Sequence, residues 1–263
     1  MSKRRTAPTA LTIAGSDSGG GAGIQADLKT FASLGVHGTS AITCITAQNP
    51  RGVGGIQAVR PEIVRRQIEA VFEEFRPAAV KTGMLFSTEI IRVVASFFKN
   101  RTTPPLIVDP VMVATSGARL LQSSAVKAMR DDLLPLATLV TPNLDEAVVL
   151  IGRNLASVDD LRAAAREIKN RWGCAALVKG GHVKGMKEAV DFFYDGKTEL
   201  VLTAPFVRDV STHGTGCVYS AAITGHLARG RHLSRAVELA KQSITNAIAE
   251  SVVANGHSVL WNV

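Results

Sequence analysis

Aromatic residues are scarce: they fill 5% of 263 positions, with two Trp and two Tyr. A protein that stacks nucleic-acid bases interleaves aromatics with a basic stripe. Here 30 Lys and Arg against 22 Asp and Glu give a net charge of +8, but Lys3, Arg4 and Arg5 supply three of those charges and the rest are scattered. No nucleic-acid partner is expected; a mildly basic surface that tolerates anionic small molecules is. Cysteines number three, Cys44, Cys174 and Cys217, far apart and without CxxC or Cys/His spacing. That excludes a zinc knuckle or a disulfide framework and suits a reducing, cytoplasmic compartment. No stretch approaches the roughly 18 uninterrupted apolar residues of a spanning helix, and the basic start runs into no signal-peptide core. No membrane partner is expected. Repeats, low-complexity tracts and linkers are absent too, so residues 10–263 read as one domain behind a basic tail, residues 1–9.

What is present is an apolar content of 46%, broken into short runs. Leu11 to Ala14 reads as a buried strand, five of the nine residues from Gly15 to Gly23 are glycine, and Ile24 to Leu34 has helical spacing ending at Gly35. A second strand is expected from Gly38 to Thr46. Val64, Ile68, Val71, Phe72 and Phe75 then share one helical face behind Pro61. Strands follow at Ala79 to Lys81, Leu106 to Val108, Leu139-Val140 and Ala175 to Lys179. Helices are expected at Glu89 to Lys99, Ser123 to Leu134 and Leu161 to Trp172. Asp191 to Tyr194 and Glu199 to Thr203, joined around Asp195-Gly196, read as a hairpin. Helices from Gly216 to Arg229 and from Leu233 to about Ala254 close the chain. Alternating helix and strand predicts an α/β fold with a mostly parallel sheet flanked by helices.

In such folds ligands bind beyond the carboxyl ends of the strands, and polar or glycine-rich segments recur at those ends. Gly21 to Ala26 matches the relaxed dinucleotide pattern GxGxxA after a strand. The pattern also calls for an acid about 20 residues on, and Ser40 to Pro50 contains none, which argues against a nicotinamide or flavin. No Walker-type loop occurs. The segment Thr212-His213-Gly214-Thr215-Gly216-Cys217 runs directly into an apolar helix, so its amides sit at a helix N-terminus, suited to an anion. The same field is expected to favour the thiolate of Cys217. A cysteine hydrolase with His213 as base is the competing active reading, but no group to orient His213 is evident from sequence.

Taken together, Ala14 to Thr30, Ala47-Gln48-Asn49, Lys81 to Leu85, Asp109 to Met112, Thr141 to Ala147, Lys179 to His182 and Thr212 to Cys217 resemble, in order, the motifs of the hydroxymethylpyrimidine/phosphomethylpyrimidine kinases of thiamine biosynthesis. These belong to the ribokinase-like superfamily. The resemblance covers residues 10 to about 250. It implies a ribokinase-like three-layer sandwich with a small β flap, and two successive phosphoryl transfers from ATP, first to hydroxymethylpyrimidine and then to its monophosphate.

It also implies residue roles. Gly214, Thr215 and Gly216 would form the anion hole for the transferring phosphoryl group, with Cys217 as base. Asn143 and Glu146, spaced NxxE, together with Asp109, would arrange Mg²⁺ around the nucleotide phosphates. Lys179 would approach ATP, Thr215 would contact it, and Lys241 would sit on its adenine side. Gly15, Ala22, Asp27, Gln48, Met84 and Val111 would enclose the pyrimidine. The Gln48 amide can both donate and accept against the ring, Asp27 would accept from its amine, and Met84 offers it a polarisable contact. The loop from Gly181 to Glu188 would fold over the site, and a homodimer is implied. Cys44 and Cys174 read as buried small hydrophobes. A pyridoxal or pyridoxine kinase of the same superfamily, or a non-catalytic pyrimidine sensor, remains as an alternative.

Overall fold

The computed structural model describes residues 6–99, 101–112, 123–181, 188–207 and 213–261. Lys3, Arg4, Arg5, His182 and Thr212, and most of the loop expected to fold over the site, lie outside them.

The chain enters the main sheet at β1 (Thr9–Asp17), crosses through α1 (Gly23–Ser33) and returns parallel to it as β2 (His37–Asn49). A turn leads into β3 (Gly52–Ala58), antiparallel to β2. From there α2 (Pro61–Glu74) carries the chain to β4 (Ala79–Thr82), on the other side of β1. That reversal makes a switch point between β1 and β4. Next come α3 (Thr88–Phe98), β5 (Leu106–Val108), α4 (Ser123–Ala128), β6 (Leu139–Val140), α5 (Leu144–Ile151), α6 (Val158–Trp172) and β7 (Ala175–Gly180). The hairpin of β8 (Glu188–Tyr194) and β9 (Glu199–Pro205) extends the sheet in antiparallel fashion. Strand order is β3-β2-β1-β4-β5-β6-β7-β8-β9, with every neighbour from β2 to β7 parallel. Two long helices follow, α7 (Thr215–Ala228) and α8 (Leu233–Ala249).

Both sheet faces are covered, which is why the central strands read as unbroken apolar runs. In β5, Leu106 and Val108 join the cluster under α2 to α6, while Ile107 faces the opposite cluster under α7 and α8. Phe31 of α1 packs with Ala10, Ala79 and Ala221 on that second face. α7 is buried around most of its circumference, so its small apolar residues carry no amphipathic stripe.

Four expectations change. β3 was not expected as a strand; its glycines at 52, 54 and 55 lower β-propensity. α5 was missed although Asn143 and Glu146 close a capping box at its start and Gly152, left-handed, ends it. The helix expected from Ser123 to Leu134 runs only to Ala128, passes through a π turn at Met129–Leu133 and ends in a 3₁₀ turn holding Pro135. α8 ends at Ala249 rather than near Ala254. Asn255 and Gly256, both at positive φ, turn β10 (Val252–Ala254) into β11 (His257–Val259). Among the described residues no helix is long and apolar enough to cross a membrane.

Candidate active site

The carboxyl ends of the parallel strands open into one cavity of about 740 Å³. Gly15 and Asp17 of β1, Gln48 of β2, Met84 after β4, Asp109 and Val111 after β5, Asn143 after β6 and Lys179 of β7 line it. So do Ala22, Glu146, Lys241 and the whole segment Gly214 to Cys217. Of the residues singled out from the sequence, only Asp27 is not among the lining.

Gly214 is the N-cap of α7 and holds φ +82. A Cβ there would fall 1.8 Å from the carbonyl oxygen of Gly21, so the first and last glycine loops meet backbone to backbone and only glycine fits. No side chain caps α7; its first turn, carrying Gly216 and Cys217, faces the cavity with the positive end of the helix dipole. Lys179 stands beside it: a Cβ on Gly216 would lie 3.3 Å from Nζ.

Cys217 lines the cavity floor, and the Gly23 N–H at the start of α1 points to its sulfur. Protein encloses the group on the other sides, and burial pushes its thiol up to about 11; Lys81 offsets part of the rise, while Asp27 and Asp109 add to it. The expected thiolate is therefore corrected: desolvation outweighs the helix field, and the sulfur rests protonated at neutral pH. Cys44 and Cys174 are buried free thiols, pushed by burial to about 11 and about 12.

Asp109 and Glu146 line the cavity together and interact electrostatically. Asp109 Oδ1 accepts from Lys179 Nζ and Thr141 Oγ1, both at 3.3 Å, and Oδ2 accepts from Ser220 Oγ at 3.0 Å. Glu146 Oε2 accepts from the Asn143 amide (2.9 Å) and Oε1 from the Met112 amide (3.2 Å). Burial pushes the Glu146 carboxyl up, Lys179 pulls it back and Asp109 adds to the rise. No cluster of three or more His, Cys, Asp or Glu able to cage a metal occurs among the described residues. Two adjacent carboxylates do fit a hydrated Mg²⁺ that takes most of its ligands from water and phosphate.

At the other end, Gln48, Met84, Val111, Gly15 and Ala22 surround the space below Cys217. A Cβ on Gly15 would meet Cys44 Sγ at 2.7 Å and Met84 Cε at 2.8 Å, so the bare backbone lets these two side chains pack against it. Val111 sits at φ +35, a strained setting for a β-branched residue and one typical of functional positions. Asp27 is fully buried and is not among the lining residues; its Oδ2 accepts from Lys81 Nζ (2.9 Å) and Thr12 Oγ1 (2.6 Å), while Oδ1 has no hydrogen-bond partner among the described residues.

Sequence reasoning passed over four groups that the fold brings in. Lys81 lines the cavity although no water reaches it; a lysine inside an otherwise apolar strand is the signal that could have exposed it. Asp191 holds Lys241 Nζ at 2.7 Å and accepts from the Gly180 amide at 3.1 Å, so the expected adenine-side lysine is bound into an ion pair. Ala189, Ala204, Pro205, Val207, Ile244 and Ile248 form an apolar slot beyond it, indistinguishable in sequence from core. Asp17 orients His213, Nε2 to Oδ2 3.1 Å, and so supplies the group that the hydrolase reading lacked, yet it turns that nitrogen toward the first glycine loop.

The family model described as phosphomethylpyrimidine kinase matches residues 17–261. A hydroxymethylpyrimidine/phosphomethylpyrimidine kinase of Rhizobium meliloti is 52% identical over 241 residues, covering 91% of this chain and 90% of that protein. A thiamine biosynthesis bifunctional protein of Geobacter sulfurreducens is 46% identical over 238 residues, which are 90% of this chain and 48% of the larger protein. Among solved structures, an ADP complex of Bacillus subtilis pyridoxal kinase superposes with a TM-score of 0.88 at 38% identity, covering 97% of this chain and 98% of that one.

Proposed function

This chain belongs to the phosphomethylpyrimidine kinase family, and from that premise we propose how its rim performs the family's chemistry. The reaction is ATP-dependent phosphorylation of hydroxymethylpyrimidine and then of its monophosphate to the diphosphate, for thiamine biosynthesis. The observation that carries the assignment of parts is their convergence: the α7 N-terminus with Cys217, the Lys179–Asp109 pair and the Gln48–Met84 pocket share one cavity.

In this reading the pyrimidine lies among Gly15, Ala22, Gln48, Met84 and Val111, with the Gln48 amide set for the ring nitrogen and exocyclic amine. Its hydroxymethyl oxygen points to the anion hole. ATP enters from the side of Asn143 and Lys179, its base toward the apolar slot and Lys241. The amides of Gly214, Thr215 and Gly216, with the Lys179 ammonium, stabilise charge on the transferring group, which is the main demand of phosphoryl transfer. Mg²⁺, when bound, neutralises phosphate charge, and Asp109 and Glu146 would hold its water shell. Cys217 accepts the hydroxyl proton. Because it rests as a thiol, it first gives its proton to solvent water in the open cavity, and Lys81 and the Gly23 N–H support the sulfur anion that then takes the hydroxyl proton. Asp27 serves the pocket indirectly, as the anchor of Lys81 and Thr12.

A second reading has one observation in its favour, the 38% identity with a pyridoxal kinase. That ring also carries a hydroxymethyl group, and Met84 and Val111 do not discriminate between the two. A pure sensor would have no use for Lys179, Asp109 and the anion hole in one place. We read residues 10–263 as one catalytic domain, since strands β1 to β9 share one sheet, and residues 1–9 as its tail, although β1 already starts at Thr9. The free thiols suit the reducing cytoplasm. A homodimer is supported by the unpaired edge of β3 and by Ile45 and Ile56, 56% and 37% exposed on that ribbon. Sedimentation tests it: a dimer that Ile45→Glu dissociates is expected, and a wild-type monomer contradicts it.

The test of function is coupled ADP release with hydroxymethylpyrimidine, with its monophosphate and with pyridoxal. Turnover on the first two supports the assignment; turnover on pyridoxal alone favours the second reading.

A further inference from the structure

Among the described residues, the Asp17 carboxylate joins both glycine loops of the site. Oδ1 accepts from the Gly19 amide at 2.8 Å. Oδ2 accepts from the amides of Gly21 (3.1 Å) and Ala22 (2.8 Å) and lies 3.1 Å from His213 Nε2. The carboxylate is almost wholly withdrawn from solvent, while about a quarter of the imidazole remains exposed. Four N–H donors on one buried carboxylate make a strong, direction-fixing anchor.

The two loops carry different halves of the reaction. Gly19 to Ala22 leads into α1 and brings Ala22 to the cavity; His213 immediately precedes Gly214, the N-cap of α7 and the start of the proposed anion hole. No side-chain bulk keeps these loops apart, since they touch at Gly21 and Gly214. Their spacing is set by hydrogen bonds. A carboxylate only accepts, so the His213 Nε2 facing it carries its proton. That same nitrogen lies 3.4 Å from Gln48 Nε2, and two donors cannot bond each other. The Asp17 partnership thus leaves the Gln48 N–H for the pyrimidine ring.

Resting on the kinase reading above, we infer that Asp17 and His213 are positioning residues for phosphoryl transfer: through the imidazole, the carboxylate fixes the anion-hole loop against the pyrimidine loop and so aligns the acceptor oxygen with the transferring phosphorus. Neither touches the reacting atoms. A misalignment of about 1 Å costs on the order of a hundredfold in rate, and the loss falls on the transition state more than on either bound substrate.

Three variants test this: His213→Ala, His213→Gln, whose amide N–H places a donor where Nε2 stood toward Asp17, and Asp17→Asn, which loses acceptor capacity under four donors. Turnover is measured with hydroxymethylpyrimidine and with its monophosphate, alongside melting temperature and equilibrium binding of pyrimidine and ATP. For His213→Ala the expected result is a kcat lower by about a hundredfold, with KM for pyrimidine and ATP changed by less than about threefold and a near-wild-type melting temperature. His213→Gln is expected to recover about tenfold of the lost kcat. An unchanged kcat, a loss confined to KM, or a glutamine variant no better than alanine overturns the inference. If Asp17→Asn does not fold, the histidine pair still decides. A wild-type enzyme without turnover on either pyrimidine strikes the kinase reading instead, so the two failures are distinguishable.

Discussion

Cys217 sits where two helix N-termini and a buried lysine converge, yet its sulfur is protonated because desolvation exceeds their combined pull. Two consequences belong to this residue. Replacing it with alanine is expected to lower kcat by about 10²- to 10⁴-fold, the usual worth of a positioned base, with pyrimidine binding by calorimetry nearly unchanged; near-normal turnover removes it from the mechanism. Because its folded pKa is raised to about 11, the thiolate fraction grows with pH about tenfold per unit below that value. Iodoacetamide modification of Cys217, read by peptide mass, should therefore be slow at pH 7 and climb steadily toward pH 10. A plateau already below pH 8 contradicts the raised pKa. At the other end of the cavity, Gln48→Ala should weaken pyrimidine binding by about tenfold, the cost of one buried hydrogen bond left unmade, and leave ATP affinity near wild type. Equal losses for both ligands would refute the pocket assignment.

Elements place these residues, and they differ in how plainly the sequence announced them. Strand–glycine loop–helix units were readable because short apolar runs end in Gly, Pro or Asp, and the α7 start was readable because two glycines precede a helical apolar run. α5 was less so: Asn143 and Glu146, spaced NxxE, match a metal motif and a helix capping box alike. It is both a helix start and a pair of cavity-lining groups, and the two demands use the same spacing. Asn143→Ala should cost about 1 kcal/mol in chemical denaturation for the lost cap and lower kcat as well; a stability loss with kcat intact would leave the pair as a cap alone. The ion pair of Asp27 was hidden for a physical reason: its partner Lys81 is 54 residues away, and only the pairing of β1 with β4 brings Lys81 beside Thr12. Asp17 and His213, 196 residues apart, were hidden for the same reason. Gly214→Ala, with φ +82 and a backbone oxygen where its methyl would go, should abolish turnover even where the protein still folds.

At the scale of the whole molecule, a nine-stranded sheet gathers residues from Gly15 to Lys241 onto one rim. The few aromatics are mostly core phenylalanines such as Phe31, Phe97, Phe192 and Phe193, while Met84, Val111, Gln48 and Gly15 line the cavity. Filling such a cavity stabilises the fold by mass action. Hydroxymethylpyrimidine at about a hundred times its dissociation constant contributes about 2.7 kcal/mol, a rise of about 5–10 °C in melting temperature for a chain this size. Phosphoryl transfer to a pyrimidine twice in succession at this rim is tested by ADP release coupled to an indicator reaction, with hydroxymethylpyrimidine, its monophosphate and pyridoxal run in parallel on the same wild-type preparation. Turnover with both pyrimidines, abolished by Cys217→Ala, is the expected result; flat traces with both pyrimidines would overturn the assignment.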